Sequence, residues 1–146
     1  MQSKNRCQWC LKHPLYLDYH DREWGCPTLD DKVHFEFLVL ESAQAGLSWL
    51  TILKRRDNYR KVYDGFDATK VARYGKTKID DLMKNEGIIR NRKKIEASVH
   101  NARLFLEIRE KHGTFSSYIW GFNDGNQQVN YFKELSELPA TSPLSD

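Results

Sequence analysis

With 146 residues, 40% of them hydrophobic and 12% aromatic, the chain is large enough to bury a core of its own and reads as one domain, 1–146. No apolar run approaches the roughly 20 residues of a membrane span, and the polar start Met1 to Arg6 lacks the apolar stretch of a secretory signal, so a soluble cytoplasmic protein is expected. The net charge of +3 is modest, and the odd number of cysteines, three, fits a reducing compartment.

Near the N-terminus, Cys7-Gln8-Trp9-Cys10 is followed by His13 and His20. Two thiolates plus imidazoles make a normal tetrahedral zinc set. A redox pair is the competing reading, but nothing before Cys7 can supply the strand that should precede such a motif. Half a zinc site and incidental cysteines both stay open. Between Trp9 and Trp24 the aromatics Tyr16 and Tyr19 accumulate around His20. Such rings either roof a core or, with their flat faces and polar handles, line a pocket for a planar ligand.

Pro27 ends this segment, and Asp30 or Asp31 can cap the helix that follows. That helix opens the longest apolar segment, Val33 to Leu53. Phe37 and Leu38 lie one turn before Glu41, and Ala45 lies one turn after it, so the periodicity puts Glu41 on the apolar stripe. A lone carboxylate there costs several kcal/mol unless something pairs with it. It is either satisfied by a nearby Arg or amide, or it is a pocket acid. Gly46 interrupts the segment, which predicts two helices with Ser48 capping the second and Trp49, Ile52 and Leu53 turned inward.

Lys54, Arg55, Arg56, Arg60 and Lys61 form one basic cluster, and Arg90, Arg92, Lys93 and Lys94 another, whereas the tail after Lys133 is acidic. The pattern is either the footprint of a polyanion partner or two solvated helix faces. Asp67 can cap a short helix holding Val71 and Ala72, and Thr77 with Asp80 resembles a capping box for Ile79 to Lys84. Gly87 is a natural C′ residue, and a new helix should begin within about four residues of it. Together these predict a helix-hairpin-helix over about 82–102. Its turn would offer backbone amides to an anion beside Arg90 and Arg92, although a plain antiparallel helix pair would look similar. Ile95, Val99, Ala102 and Leu106 then predict a long amphipathic helix to about Lys111.

Gly113 closes that helix, and Phe115, Tyr118, Ile119 and Phe122 form a short amphipathic one. From Asn123 the composition turns polar and reads as loop, and Ser142-Pro143-Leu144-Ser145-Asp146 looks like the entry to a helix. No strand alternation, internal repeat, Walker-type loop or dinucleotide fingerprint stands out.

Taken in order, Pro14-Leu15-Tyr16, Tyr19-His20-Asp21, Glu23-Trp24-Gly25, Leu40-Glu41, Gln44-Ala45-Gly46-Leu47-Ser48-Trp49, Gly87-Ile88-Ile89-Arg90, Lys94-Ile95 and Asn101-Ala102 resemble the DNA-3-methyladenine glycosylases of type I over nearly the whole chain. The resemblance implies an all-α helix-hairpin-helix glycosylase domain. It also implies a monofunctional base-excision repair enzyme that turns 3-methyladenine out of alkylated double-stranded DNA and hydrolyses its glycosidic bond. Free 3-methyladenine would be the product, without an organic cofactor, and the protein is expected to be a monomer.

Residue by residue, the resemblance assigns Glu41 and Tyr19 to hydrogen bonds with the extruded base and to the chemistry. Trp9, Tyr16, Trp24 and Trp49 line or stack in the pocket. Gly46 and Leu47 push against the gap left in the duplex, and Gly87, Ile88, Arg90 and Arg92 hold phosphate. The family pattern has a zinc site to which Cys7 and His20 contribute, with a His and a Cys from a later segment that this sequence, ending at Asp146, is expected to lack together with the last helical segment. Cys10 and His13 are the candidate substitutes. The resembled family also lacks the aspartate that many relatives in the superfamily use on the water. Two other readings stay alive: a helix-hairpin-helix DNA-binding module with impaired catalysis, and a small zinc- or thiol-dependent helical protein.

Overall fold

The computed structural model describes residues 6–145; the start Met1 to Asn5 and the final Asp146 lie outside them. Eight α-helices form, with no strand among the described residues: α1 Pro14–Arg22, α2 Asp31–Gln44, α3 Trp49–Leu53, α4 Arg56–Val62, α5 Ala68–Val71, α6 Lys76–Lys84, α7 Arg92–His112 and α8 Phe115–Gly121. Short 3₁₀ turns occupy Gln8–Lys12, Asp64–Phe66 and Leu135–Glu137. Among the described residues no helix is long and apolar enough to cross a membrane.

The helix α2 starts where Asp30 accepts a hydrogen bond from the Lys32 amide at 2.8 Å. Asp31, the other candidate cap, reaches across the fold to accept from the Phe115 and Ser116 amides at 3.0 and 2.8 Å, tying the start of α8 to the start of α2. Gly46, at φ 80°, breaks the segment as expected, and Ser48 caps α3 by accepting from Thr51. Asp67 likewise caps α5. The long helix α7 packs against α2, α5, α6 and α8, with Ile95, Val99, Ala102 and Phe105 inward. Phe105 meets Phe35 at 5.2 Å and stacks on Phe115 at 4.2 Å, joining α2, α7 and α8 in one apolar core.

The apolar stripe of α2 differs from the expected one. Its buried face is Phe35, Glu36, Val39, Leu40 and Ala43, which leaves Glu41 on the flank. The buried carboxylate of this helix is therefore Glu36, and it is paired. Arg56 Nε donates to Glu36 Oε1 at 2.6 Å, and Arg60 Nη2 lies 2.9 Å from the same oxygen. The two terminal nitrogens of Arg56 grip both oxygens of Glu23 at 2.7 Å each. Burial works against the Arg56 charge, but its hydrogen bonds to Glu23 and Glu36 outweigh that and hold its pKa above the ordinary value.

The capping box at Thr77 and Asp80 does not form. The helix α6 begins at Lys76 after Gly75, without a side-chain cap, and Asp80 is held by Arg92 at 2.6 Å. Nor does Gly87 terminate α6 in the left-handed region, because the helix already ends at Lys84 with Asn85 extended. The glycine serves a close approach instead, since a Cβ at position 87 would overlap the Asn58 side-chain amide. After α8 the chain runs as loop and turns, and Ser142 to Ser145 make a single turn.

Candidate active site

Pro14 opens α1, and His13 Nδ1 accepts from the Leu15 amide at 3.1 Å as its cap. From that start Tyr16, Tyr19 and His20 fall on one face, since residues three and four apart are neighbours on a helix. Against this face lies Trp9 from the N-terminal 3₁₀ turn, edge-on to Tyr16 at 5.5 Å, to His20 at 5.4 Å and to Trp24 at 5.4 Å. The opposite wall is Trp49, at the first position of α3, which meets Tyr19 at 5.4 Å and stacks on Phe37 at 6.2 Å. Tyr16 Oη accepts from the Leu50 amide at 3.1 Å, so the same ring that walls the cleft also satisfies an orphan donor of α3.

Trp9, Tyr16, Tyr19, Trp24, Glu41, Gln44 and Trp49 line an open cleft of about 300 Å³. A larger cavity of about 670 Å³ lies beside Pro27, His34, Trp120 and Leu144, and none of its described lining residues carries a carboxylate. The smaller cleft combines flat rings with an acid, which is the pairing that a cationic planar ligand requires. Glu41 makes no hydrogen bond or ion pair among the described residues; it keeps an exposed edge, and the partial loss of water around its carboxylate raises its pKa. Burial also pushes the Tyr19 phenol up; Glu41 and then Glu23 push it further, and Arg56 opposes them. Tyr19 therefore stays a protonated donor facing an unpartnered carboxylate. The Trp49 indole N–H is buried without a partner among the described residues.

All six ring and acid positions expected for a pocket thus line one cleft. Sequence reasoning missed Gln44, whose signal was its position one turn after Glu41, and Phe37, which backs Trp49. Between α2 and α3, Gly46 turns the chain and Leu47 is left 41% exposed beside the cleft-lining Gln44 and Trp49.

The hairpin differs from expectation. The Gly87 amide donates to Asn85 Oδ1 at 2.8 Å and the Ile89 amide to Tyr59 Oη at 3.0 Å, while the Ile88 side chain is buried in the core. These groups are already used internally. Among the described residues the hairpin amides without an acceptor are those of Glu86, in the turn itself, and of Arg90, Arg92 and Lys93, just ahead of and inside the first turn of α7. The basic clusters are also partly structural: Arg56 is buried with Glu23 and Glu36, and Lys94 points back at α2.

The zinc site is not assembled. Cys7 and His20 are brought together, with the Cys7 amide 3.5 Å from His20 Nε2. Cys10 is buried and donates to the Cys7 carbonyl, and His13 is occupied as the α1 cap. Among the described residues no three His, Cys, Asp or Glu side chains come together to hold a metal ion. The donors present do not fit a four-ligand zinc centre.

A profile of the methyladenine glycosylases matches residues 9–146. The chain belongs to that family. It is 43% identical over 141 residues to DNA-3-methyladenine glycosylase 1 of Escherichia coli K12, covering 97% of this chain and 75% of that one. A crystal structure of 3-methyladenine DNA glycosylase I superposes with a TM-score of 0.91 at 41% identity, over 96% of this chain and 77% of the other. A tyrosine-to-phenylalanine variant of 3-methyladenine DNA glycosylase I, solved in complex with 3-methyladenine, also gives 0.91, at 38% identity and with 97% and 76% covered. The helical architecture is the one shared by these methyladenine glycosylases, and the aromatic cleft belongs to the part of the chain that they match.

Proposed function

We propose that this chain is a monofunctional DNA glycosylase that removes 3-methyladenine from alkylated double-stranded DNA. The observation that carries the reading is Glu41: a carboxylate with no hydrogen-bond or ion-pair partner among the described residues, lining an open cleft with the Tyr19 phenol and four further aromatic walls. A family relative that binds 3-methyladenine supports the same ligand.

N3-methylation makes the adenine cationic while it is attached to deoxyribose. The C1′–N9 bond then breaks with its electron pair going to the base, which leaves neutral, and water adds to the oxocarbenium-like sugar and releases a proton. The leaving group needs little acid assistance, so the protein's main tasks are to find the base and hold it. An ionised carboxylate about 4 Å from a cation interacts by roughly 4 kcal/mol at an intermediate dielectric, before desolvation is charged against it. Stacking on the rings adds about 1–3 kcal/mol per base with little discrimination between bases. Selectivity therefore rests on Glu41 and on Tyr19 as donor, while Trp9, Tyr16, Trp24 and Trp49 supply the walls.

In the same reading Gly46 and Leu47 fill the gap left by the base. The free amides at Arg90, Arg92 and Lys93 receive backbone phosphate, with the side chains of Arg90 and Arg92 alongside. A cytoplasmic location accords with such a substrate. The test is incubation with methylated duplex DNA. The expected result is free 3-methyladenine, identified by mass, and intact strands carrying abasic sites. Duplex binding without base release would replace this reading by that of a DNA-binding module.

A further inference from the structure

Lys94 stands in the first turn of α7, beside Arg90, Arg92 and Lys93, where a phosphate contact is the ordinary assignment for a lysine. Its ammonium is turned the other way. Nζ donates to the Ala43 carbonyl at 2.9 Å and to the Ala45 carbonyl at 2.5 Å. These are carbonyls at the end of α2, a helix that has no glycine cap of its own: Ala45 leaves the helix at φ −44°, ψ 118°, and the chain then turns through Gly46. A cation at a helix C-terminus is favoured by both the orphan carbonyls and the macrodipole. Here the cation comes from a helix about fifty residues further along the chain.

Both ends of this strut are fixed. The Lys94 amide donates to the side chain of Asn91, the N-cap of α7, so its backbone is in register with the free amides of the hairpin. At the other end, the Leu47 amide donates to the Gln44 carbonyl at 2.6 Å, so the loop that carries Leu47 is tied to the same turn of α2 that Lys94 holds. That last turn also carries Gln44, and Glu41 lies one turn before its end. One side chain thus joins the hairpin to the loop and the pocket acid, which share no other hydrogen bond among the described residues.

We propose that Lys94 is a positioning residue that couples the hairpin's hold on DNA to the Gly46–Leu47 loop and the last turn of α2. Gripping phosphate then sets Leu47 against the duplex and Glu41 against the extruded base. The inference rests on the base-excision reading above. It separates Lys94 from its basic neighbours, because a lysine that serves two carbonyls is not available to a phosphate.

The test uses Lys94→Met in the full chain, with three readouts: release of 3-methyladenine from methylated duplex under single-turnover conditions, the salt dependence of binding to undamaged duplex, and binding of free 3-methyladenine followed by tryptophan fluorescence. Release is expected to slow by about tenfold to a hundredfold, as for a small misplacement of reacting groups. The salt slope should stay at the wild-type value, and free base should bind with a loss at least several-fold smaller than the loss in release. Lys94→Arg, which keeps the charge and the reach, should restore most of the rate. In a double-mutant cycle, Lys94→Met with Leu47→Ala should lose no more than the worse single variant, because both act through one loop. A salt slope lower by about 0.9 would make Lys94 a phosphate ligand and overturn the proposal. So would unchanged release, equal losses on DNA and free base, or additive losses in the cycle. If Lys94→Met melts below the assay temperature, the same cycle is run with Lys94→Gln, which keeps a donor but neither the charge nor the reach. A wild-type chain that releases no 3-methyladenine would instead sink the base-excision reading.

Discussion

Replacing Arg56 by methionine removes the guanidinium that joins Glu36 of α2 to Glu23 beside the cleft, while keeping most of the volume. Arg56 makes three bonds of 2.6, 2.7 and 2.7 Å to these two carboxylates and lies over the Phe37 ring at 5.3 Å, behind the pocket wall. Breaking a buried pair by removing one partner typically costs about 3–5 kcal/mol, because the other charge is left uncompensated. Here Glu36 retains Arg60, and Glu23 is only partly buried, so the lower end, about 3 kcal/mol, is expected. With a urea slope of about 2 kcal/mol per molar, the unfolding midpoint should fall by about 1.5 M. The double change Glu36→Leu with Arg56→Met should recover part of that loss, since it leaves no unpaired acid on α2. Equilibrium urea unfolding followed by circular dichroism reads both. A midpoint shift below about 0.5 M for Arg56→Met would refute the claim that this network is a structural clamp.

Glu41→Gln is expected to stabilise the ligand-free protein at neutral pH while impairing function. The sign follows from linkage: the folded pKa of Glu41 is raised, so the folded state holds its proton longer and wild-type stability falls as pH rises from about 4.3 through that raised value. Thermal melts across that window should show a flatter profile for the variant, and parallel profiles would contradict the assignment. Gly87→Ala should destabilise by about 1–3 kcal/mol through overlap with the Asn58 amide, and Asn58→Ala should relieve it in the double variant; urea midpoints decide. Asp31→Ala removes an acceptor from the Phe115 and Ser116 amides and should cost about 1–2 kcal/mol, with faster hydrogen exchange at the start of α8.

Features that depend on neighbours in the chain were legible in the sequence. Asp30, Ser48 and Asp67 cap the helices they precede, Gly46 breaks the long segment, and α7 follows the spacing of Ile95, Val99 and Ala102. Four of the five aromatic residues that share the cleft are also visible as a concentration from Trp9 to Trp24, with Trp49 set apart at the start of α3. What failed depends on partners far along the chain. The stripe of α2 was centred on Glu41 because Phe37 and Leu38 are apolar, yet α2 buries Glu36, which its own helix cannot explain: Arg56 and Arg60 lie 20 and 24 positions away. The basic clusters looked uniform, but Arg56 and Lys94 belong to the fold because acids and carbonyls of distant segments meet them. Likewise the need for glycine at 87 comes from Asn58 rather than from a turn. The spacing of Cys7, Cys10, His13 and His20 suggested a metal set, but His13 and Cys10 are drawn into local backbone contacts.

The central claim is that Glu41 recognises the positive charge of an alkylated base. Its most direct test compares single-turnover release of 3-methyladenine from methylated duplex by the wild-type chain and by Glu41→Gln, which keeps the shape and removes the charge. Release by the wild type is expected, with a rate about a hundredfold lower for the variant and with affinity and salt slope on undamaged duplex unchanged. A variant that releases the base as fast as the wild type would contradict it.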